Sequence, residues 1–185
     1  PGDQIVADLK VGSSEGGAAG GTAASHAERS GVVRPYAATG HRHEAEIQDQ
    51  LGLSVDFTVH AVDMVRGAAA TCHVYPDGPA ADDGVQTADL WGAYRNAYDD
   101  EPFVRVVAGG GGTYRYPEPK AVAGTNLAEV GFATEDDSDR VVAFAAIDNV
   151  MKGAAGQAVH GANIALGLDQ TTGLTQQGLH PVGSP

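Results

Sequence analysis

Residues 55–75, VDFTVHAVDMVRGAAATCHVY, decide the fold. The run 55–62 alternates apolar with polar residues and is rich in β-branched side chains, which predicts a half-buried strand. The run 66–75 predicts a second strand, and a link as short as 63–65 is typical of antiparallel neighbours. This pair therefore predicts a sheet with one covered face.

Further strands and helices flank this pair on both sides. The predicted strands cover residues 4–10, 32–39, 103–107, 120–125, 127–133 and 140–147. The predicted helices cover residues 43–51, 87–98 and 148–166. Strands outnumber helices and most links are short. We therefore expect one α+β domain, with a mixed, largely antiparallel sheet covered by helices on one face.

The composition limits the possible functions. The single cysteine, Cys72, forms neither an internal disulfide nor a cysteine-based zinc site, which favours a reducing, cytoplasmic setting. A net charge of −13 without a basic stripe argues against nucleic acid as a partner. No apolar run reaches the ~18 residues of a membrane helix. The small number of lysines and the clusters of acidic residues in turns predict a halophilic protein. Salt would screen the repulsion between its negative charges.

Residues 39–46, TGHRHEAE, carry the densest chemistry in the chain. His41 and His43 lie at the expected start of a helix, where both could face one pocket. Imidazole titrates near neutrality and suits proton transfer, although the H-x-H pattern also occurs in metal sites. Arg42 is a forked donor suited to phosphate or carboxylate. These residues predict an active site, with proton transfer and metal binding both open.

Residues 11–31 are rich in Gly, Ala and Ser and lack apolar periodicity. The composition is typical of a flexible linker. Glycine-rich backbone also allows close approach to a ligand, and the segment carries charged residues that a linker does not need. Ser13 and Ser14 could bind a substrate oxyanion or complete a turn. Both interpretations of the segment stay open.

Residues 148–158, DNVMKGAAGQA, begin the last predicted helix. Gly153 and Gly156 interrupt it, and glycine inside a helix costs about 1 kcal/mol relative to alanine. Such glycines indicate close approach, either of a ligand or of a packed neighbouring element. Lys152 lies among them and is one of three lysines in the chain.

Several motifs resemble the C-terminal half of N-acetyl-γ-glutamyl-phosphate reductases, and the resemblance covers nearly the whole chain. They are residues 40–46, 57–60, 64–67, 101–104 and 148–158. Residues 12–17 and 178–181 favour the branch of the family whose substrate is linked to a small amino-group carrier protein. The resemblance implies a fold like the C-terminal domain of glyceraldehyde-3-phosphate dehydrogenase, and a homodimer or higher homo-oligomer.

The resemblance also implies a reaction. An acyl phosphate, either N-acetyl- or carrier-linked glutamyl or aminoadipyl phosphate, is reduced to the semialdehyde in arginine or lysine biosynthesis. The family uses NADPH and a cysteine thioester. His41 corresponds to the acid–base histidine, and His43 and Arg42 would orient the substrate with Ser13 and Ser14. The cofactor-binding residues would be Lys152, Gly153, Gly156 and Gln157. Arg29, Arg34, Arg42 and Arg66 would form a positive patch for phosphate and an acidic carrier.

The chain departs from the family pattern at its start. The family's cysteine lies in a Pro-Gly-Cys motif, whereas Pro1 and Gly2 precede Asp3. Cys72 lies in a predicted strand, where a buried thiol is usually inert. The nucleotide fingerprint of an N-terminal Rossmann domain is also absent from this chain. We therefore expect residues 1–185 to be one catalytic and dimerisation domain that is inactive alone. The alternatives are a non-enzymatic dimerisation or carrier-binding module and a metal-dependent hydrolase.

Overall fold

The computed structural model describes residues 4–18, 20–77, 84–135 and 138–180. Its strands are β1 Gln4–Val11, β2 Val33–Ala37, β3 Val55–Val62, β4 Ala68–Tyr75, β5 Val104–Val106, β6 Ala128–Glu135 and β7 Ser138–Ile147. Its α-helices are α1 His26–Arg29, α2 Arg42–Leu51, α3 Thr87–Tyr98, α4 Pro119–Val122 and α5 Gly156–Ala165. Two 3-10 turns, Ser13–Gly16 and Thr22–Ala24, follow β1, and a π-helical turn, Met151–Ala155, leads into α5.

The strands form one seven-stranded mixed sheet in the order β2-β3-β1-β4-β7-β6-β5. Only β1–β3 and β5–β6 among the described pairs are parallel. The other four pairs are antiparallel. The α+β class and the largely antiparallel sheet are thereby confirmed.

The expectation that β3 and β4 are neighbours is wrong, because β1 lies between them. The link after β3 crosses the end of β1 and bonds to the residues that follow it. Gly12 N donates to Gly67 O at 3.0 Å, and Ser13 N donates to Met64 O at 2.9 Å. Two strand spacings are only about 10 Å, so a few extended residues suffice for the crossing. A short link therefore did not require adjacent strands.

One hydrophobic cluster of the core lies on the face of the sheet that α2 covers. Val55, Phe57 and Val59 alternate with exposed or half-buried residues along β3 and pack with Ala7 of β1. Ile47 of α2 covers this cluster. The alternation predicted from the sequence is therefore the one observed.

The same face continues to the other side of the sheet. Phe132 of β6 is linked to Ala7 by register through Ala143 and Cys72, so these side chains share one face. Trp91 of α3 packs edge-on against Phe132, with ring centroids 5.2 Å apart. Both α2 and α3 therefore cover this face, as expected.

Two local predictions fail after β5. Residues 120–125 were expected to form a strand, but Pro119–Val122 is a helical turn with Pro119 near its N-terminus, a position that proline favours. Gly124 then turns the chain with φ of +79°. The predicted helix 148–166 is likewise divided into the π-helical turn and α5. Among the described residues, no helix is long and apolar enough to cross a membrane.

Candidate active site

His41 is the N-cap residue of α2. Gly40 enters the turn with φ of +67°, a conformation that glycine adopts without strain. The Nδ1 atom of His41 accepts a hydrogen bond from the backbone N–H of His43 at 3.2 Å. The proton of the neutral ring is therefore on Nε2. The ring thus presents an N–H donor, and protonation of Nδ1 would break the cap bond.

The surroundings of His41 favour its neutral form. Its ring packs edge-on against Phe57, with centroids 5.5 Å apart, and lies 5.0 Å from the ring of His43. Burial is the main cause that lowers the pKa of His41, and the charges of His43 and Arg42 lower it further. Glu15 and Glu46 oppose the shift. These surroundings therefore favour the uncharged imidazole, which can accept or donate a proton.

His43 points to a different partner. Its Nδ1 lies 2.7 Å from Glu46 Oε2, one helical turn away, and the two side chains are 44% and 70% exposed. Such an exposed pair contributes little to stability. Arg42 is exposed at the start of the same helix, where it acts on His41 through its charge. The two predicted catalytic histidines are therefore close together but differ in environment.

The described part of the glycine-rich segment is structured, and Glu15 in it acts on His41 through its charge, so the flexible-linker interpretation is wrong. Arg29, only 3% exposed, donates to the carboxylate of Glu15 and to the backbone oxygens of Val11 and Ala23. Its guanidinium also lies 5.8 Å from the ring centre of Tyr36. This buried arginine folds the segment back onto the end of β1.

Ser13 and Ser14 have protein partners for their hydroxyl groups. Ser13 Oγ is 3.1 Å from His26 Nδ1. Ser14 Oγ accepts a hydrogen bond from Asn149 Nδ2 at 2.9 Å, and Asn149 Oδ1 accepts another from Gly67 N at 2.7 Å. Asn149 thereby joins the loop after β1 to the segment after β7.

Asp148 fixes this junction and was not assigned a role from the sequence. Its fully buried carboxylate accepts hydrogen bonds from the backbone N–H groups of Gly124, Val150 and Met151, at 2.7–3.0 Å. Arg66 Nη1 lies 3.3 Å from Asp148 Oδ2. A buried carboxylate requires such compensation. An Asp-Asn pair directly before an interrupted helix is the signal that could have predicted this anchor.

The predicted cofactor segment follows immediately. Lys152 Nζ lies 3.5 Å from His160 Nδ1 and 5.5 Å from the ring centre of Phe103. Burial lowers the pKa of Lys152, and Glu101 opposes this shift. A π-helical turn of this kind occurs frequently at functional sites.

The two glycines of this segment, Gly153 and Gly156, have different surroundings. A Cβ on Gly156 would lie 2.3 Å from Asn126 Oδ1, so close packing inside the protein explains this glycine. Gly153 is exposed, and a Cβ there would meet Ile147 at 3.3 Å. Gln157 is exposed on the next turn. Exposed backbone at Gly153 and the side chains of Lys152 and Gln157 are therefore the groups that a ligand could contact.

Most of the chain matches a known family. Residues 1–149 match the model described as semialdehyde dehydrogenase, dimerisation domain. The chain belongs to this semialdehyde dehydrogenase family. The match includes His41 and Asn149 and ends just before the π-helical turn.

Two relatives of this semialdehyde dehydrogenase domain come from haloarchaea. Proteins from Haloarcula marismortui and Natronomonas pharaonis are each 69% identical, over 99% and 100% of this chain and 52% of their own length. Both are named LysW-L-2-aminoadipate/LysW-L-glutamate phosphate reductase. The chain spans about half the length of the curated relatives it matches. The haloarchaeal sources of these relatives agree with the prediction of a halophilic protein.

Solved structures share the fold of this semialdehyde dehydrogenase domain. A probable aspartate-semialdehyde dehydrogenase from Pseudomonas aeruginosa is 19% identical with a TM-score of 0.66, covering 88% of this chain and 55% of that one. Aspartate semialdehyde dehydrogenase II from Vibrio cholerae is 16% identical with a TM-score of 0.64, covering 88% and 54%. These likenesses confirm the fold expected from the sequence.

Several residues with a predicted functional role have other contacts in this semialdehyde dehydrogenase domain. Two of the four arginines proposed as a positive patch have carboxylate partners: buried Arg29 pairs with Glu15, and half-buried Arg66 pairs with the buried Asp148. Cys72 is half-buried in β4, and burial raises the pKa of its thiol. Among residues 4–18, 20–77, 84–135 and 138–180, no three His, Cys, Asp or Glu side chains are grouped as a metal site.

Proposed function

We propose that this chain is the catalytic and dimerisation domain of an NADPH-dependent acyl-phosphate reductase. Its substrate is a LysW-linked aminoadipyl or glutamyl phosphate, reduced to the semialdehyde in lysine or arginine biosynthesis. The names of the 69%-identical relatives support the substrate class. The observation that carries the proposal is His41, the N-cap histidine of α2, whose pKa is lowered mainly by burial. The single cysteine of the chain fits a cytoplasmic setting.

The reaction uses a thiol from the part of the polypeptide that this chain does not span. The sulfur attacks the acyl carbon, and the bond from this carbon to the phosphate oxygen breaks. Inorganic phosphate departs, and a thioester remains on the enzyme. When bound, the nicotinamide cofactor supplies the hydride that reduces this thioester. The bond from carbon to sulfur then breaks, which releases the semialdehyde and regenerates the thiolate. Cys72 does not fit the nucleophile, because its thiol is half-buried in the sheet and its pKa is raised.

His41 moves the proton in this scheme. With Nδ1 bonded to His43 N–H, its Nε2–H can donate to the oxygen that gains charge at the reacting carbon. To take the thiol proton on Nε2, the neutral ring must carry its proton on Nδ1 instead. That form cannot accept the cap bond, so the base step requires the ring to leave the His43 N–H. Arg42, exposed at the start of α2, would attract the phosphate or carboxylate of the substrate, and His43 would orient it. Ser13 and Ser14 would shape the loop after β1.

The cofactor segment fits a nicotinamide in part. Lys152, Gly153 and Gln157 offer an ammonium group, exposed backbone and an amide on two consecutive turns. Gly156 supports this turn indirectly, because its missing side chain lets the helix pack on Asn126. A Rossmann domain in the remaining half of the polypeptide would hold most of NADPH.

The open face of the sheet is our proposed homodimer surface. Asp8, Lys10 and His60 lie on the face opposite the core, and Asp8 Oδ1 is 3.0 Å from His60 Nδ1 and 3.2 Å from Lys10 Nζ. The family name supports dimerisation. We propose LysW as the second protein partner, bound on the side of the molecule that carries Arg42.

The decisive experiment replaces the matching half of the Haloarcula marismortui relative by this chain. We call this full-length molecule the hybrid protein. It should reduce LysW-linked acyl phosphate with NADPH, and His41→Ala should lower its turnover by about 10² to 10⁴. Asn96→Ala on exposed α3 is the control. Wild-type turnover with His41→Ala would remove His41 from the reaction. Reduction catalysed by residues 1–185 alone would contradict the need for a second thiol.

A further inference from the structure

The outer edge of β6 is only partly covered by its neighbour. β6 spans Ala128–Glu135, whereas β5 pairs with it only over Val104–Val106. Among the described residues, the last backbone bond across this edge runs from Val107 N to Val130 O at 2.7 Å. The chain then turns away at Gly109, whose φ is +72°. The second half of β6 therefore has an open edge.

The backbone groups of Phe132 and Thr134 point to this open edge. Ala128 N and Val130 O both bond to residues that flank β5, at 2.8 and 2.7 Å. Backbone groups of successive strand residues point alternately to the two sides of the strand, so Phe132 and Thr134 continue this row. In the described part of the chain, no strand lies beside them there. An extended peptide can pair with such an edge.

A cavity of about 170 Å³ lies along the same edge. The rings of Trp91, Tyr116 and Phe132 line it, and Thr87 and Thr134 supply hydroxyl groups. An apolar cavity of about 150 Å³ accepts one benzene ring, whereas sites for drug-sized ligands span roughly 300–1,000 Å³. The cavity therefore fits a single aromatic or large aliphatic side chain and is too small for a nucleotide.

Two arginines lie beside this cavity. The guanidinium carbon of Arg95 is 5.4 Å from the ring centre of Trp91, and that of Arg115 is 5.3 Å from the ring centre of Tyr116. The ion pairs formed by the described arginines use other residues. The chain has 24 acidic and 11 basic residues, so two arginines at one cavity without a described carboxylate partner favour an acidic ligand.

We infer that the β6 groove, defined as the open edge at residues 132–134 with the cavity beside it, binds an extended acidic segment of a partner protein. The backbone of the segment would pair with Phe132 and Thr134. One aromatic or large aliphatic side chain would fill the cavity, and carboxylates on either side of it would contact Arg95 and Arg115.

The β6 groove is separate from the candidate active site. His41 packs on Phe57 of β3, and β6 lies four strand positions from β3 in the sheet. Four strand spacings amount to about 19 Å. A partner held in the groove therefore leaves His41 uncovered, and the inference does not depend on the reaction proposed above.

The test uses the fluorescence of Trp91, the single tryptophan of the chain, because Trp91 lines the cavity. The probe is the tryptophan-free peptide acetyl-Glu-Glu-Val-Phe-Val-Glu-Glu-amide, titrated into the 185-residue chain. Binding should change the Trp91 emission saturably and should weaken as KCl rises from about 0.3 M to about 1 M. Replacing the phenylalanine of the peptide by alanine should weaken binding by about tenfold or more. N-methylation of its three central residues should also abolish binding, because it removes the backbone donors.

Variants of the chain test the groove from the other side. Arg95→Gln with Arg115→Gln should weaken binding of the acidic peptide about fivefold, because two exposed charge contacts are lost. Arg34→Gln, at an exposed arginine of β2, is the matched control and should leave the affinity unchanged. Ala108→Leu adds a larger side chain to the cavity lining and should block the anchor side chain. The Tm of each variant checks that the domain is still folded.

Several results would overturn the inference. One is the absence of a saturable change in Trp91 emission up to about 1 mM peptide, the limit of weak specific binding. Another is equal affinity for a peptide with lysine in place of glutamate. A changed emission of the free chain after removal of residues 181–185 would assign the groove to the chain's own tail. A lower mass of the Ala108→Leu variant in light scattering would assign it to a second copy.

Discussion

The side chains of Ser14 and Asn149 hydrogen-bond to each other although 135 residues separate them in the sequence. This contact joins the loop after β1 to the segment after β7. Gly67 N donates to the same asparagine, so three segments of the chain meet at one side chain.

Asn149→Ala should destabilise the domain by about 1–3 kcal/mol, because it leaves Ser14 and the N–H of Gly67 without their partner. Chemical denaturation of the 185-residue chain in high salt measures the free energy of unfolding. Asn96→Ala on the exposed side of α3 is the control and should change it by less than about 0.5 kcal/mol. Equal effects of the two substitutions would show that the contact does not hold the segments together.

Arg29→Met should destabilise the domain by about 3 kcal/mol, because Glu15 and two backbone oxygens lose a buried donor. Glu15→Gln should also destabilise it, since the buried guanidinium then loses its counter-charge. The double variant should be less unstable than the sum of the two single variants, and a double-mutant cycle measures this coupling. Strict additivity would contradict an interaction between the two groups. Arg34→Met, at an exposed donor, is the control.

The pKa of His41 should lie below its ordinary value of 6.5 and respond to two neighbours in opposite directions. Arg42→Gln should raise this pKa by removing a cation. Glu15→Gln should lower it by removing an anion. Titration of the imidazole proton resonances by NMR in the 185-residue chain measures both shifts. Shifts of the same sign in the two variants would exclude the proposed arrangement around His41.

The sequence predicted the strands well and their order less well. Alternation along β3 follows from which side chains are buried, and this information is local. The insertion of β1 between β3 and β4 depends on hydrogen bonds from residues 12–14 to residues 64–67, which no local pattern contains. The prediction of a strand at residues 120–125 failed for a related reason, because Val122 is buried in a helical turn and not in a strand.

The candidate site was predictable where its chemistry is local. The H-x-H motif at a helix start indicated His41, and the structure shows the N-cap bond that orients it. The environment that lowers its pKa combines Phe57 and Arg42 from different elements. The buried roles of Arg29 and Asp148 depend on tertiary contacts, which the sequence does not show. From the sequence, Arg29 was therefore assigned to a surface patch and Asp148 received no role.

The stability of the domain should rise with salt concentration. With a net charge of −13, the acidic side chains repel one another in dilute buffer. At 1 M salt the screening length falls to about 3 Å, which weakens this repulsion. The Tm measured by circular dichroism should therefore increase as the KCl concentration rises from about 0.1 M to about 2 M. Asp99→Asn with Asp100→Asn should weaken this dependence and raise the Tm in dilute buffer, because both acids follow the C-terminus of α3. A Tm independent of salt would contradict salt adaptation.

Two glycines of α5 should respond oppositely to the same substitution. Gly156→Ala places a methyl group 2.3 Å from Asn126 Oδ1, and Asn126 is only 1% exposed. We expect a loss of about 1–3 kcal/mol from overpacking. Gly161→Ala meets no atom within 4 Å and should stabilise the helix by about 0.5–1 kcal/mol. Denaturation of the two variants measures the difference. Stabilisation by both would show that α5 does not pack closely on Asn126, and the structural explanation for Gly156 would then fail.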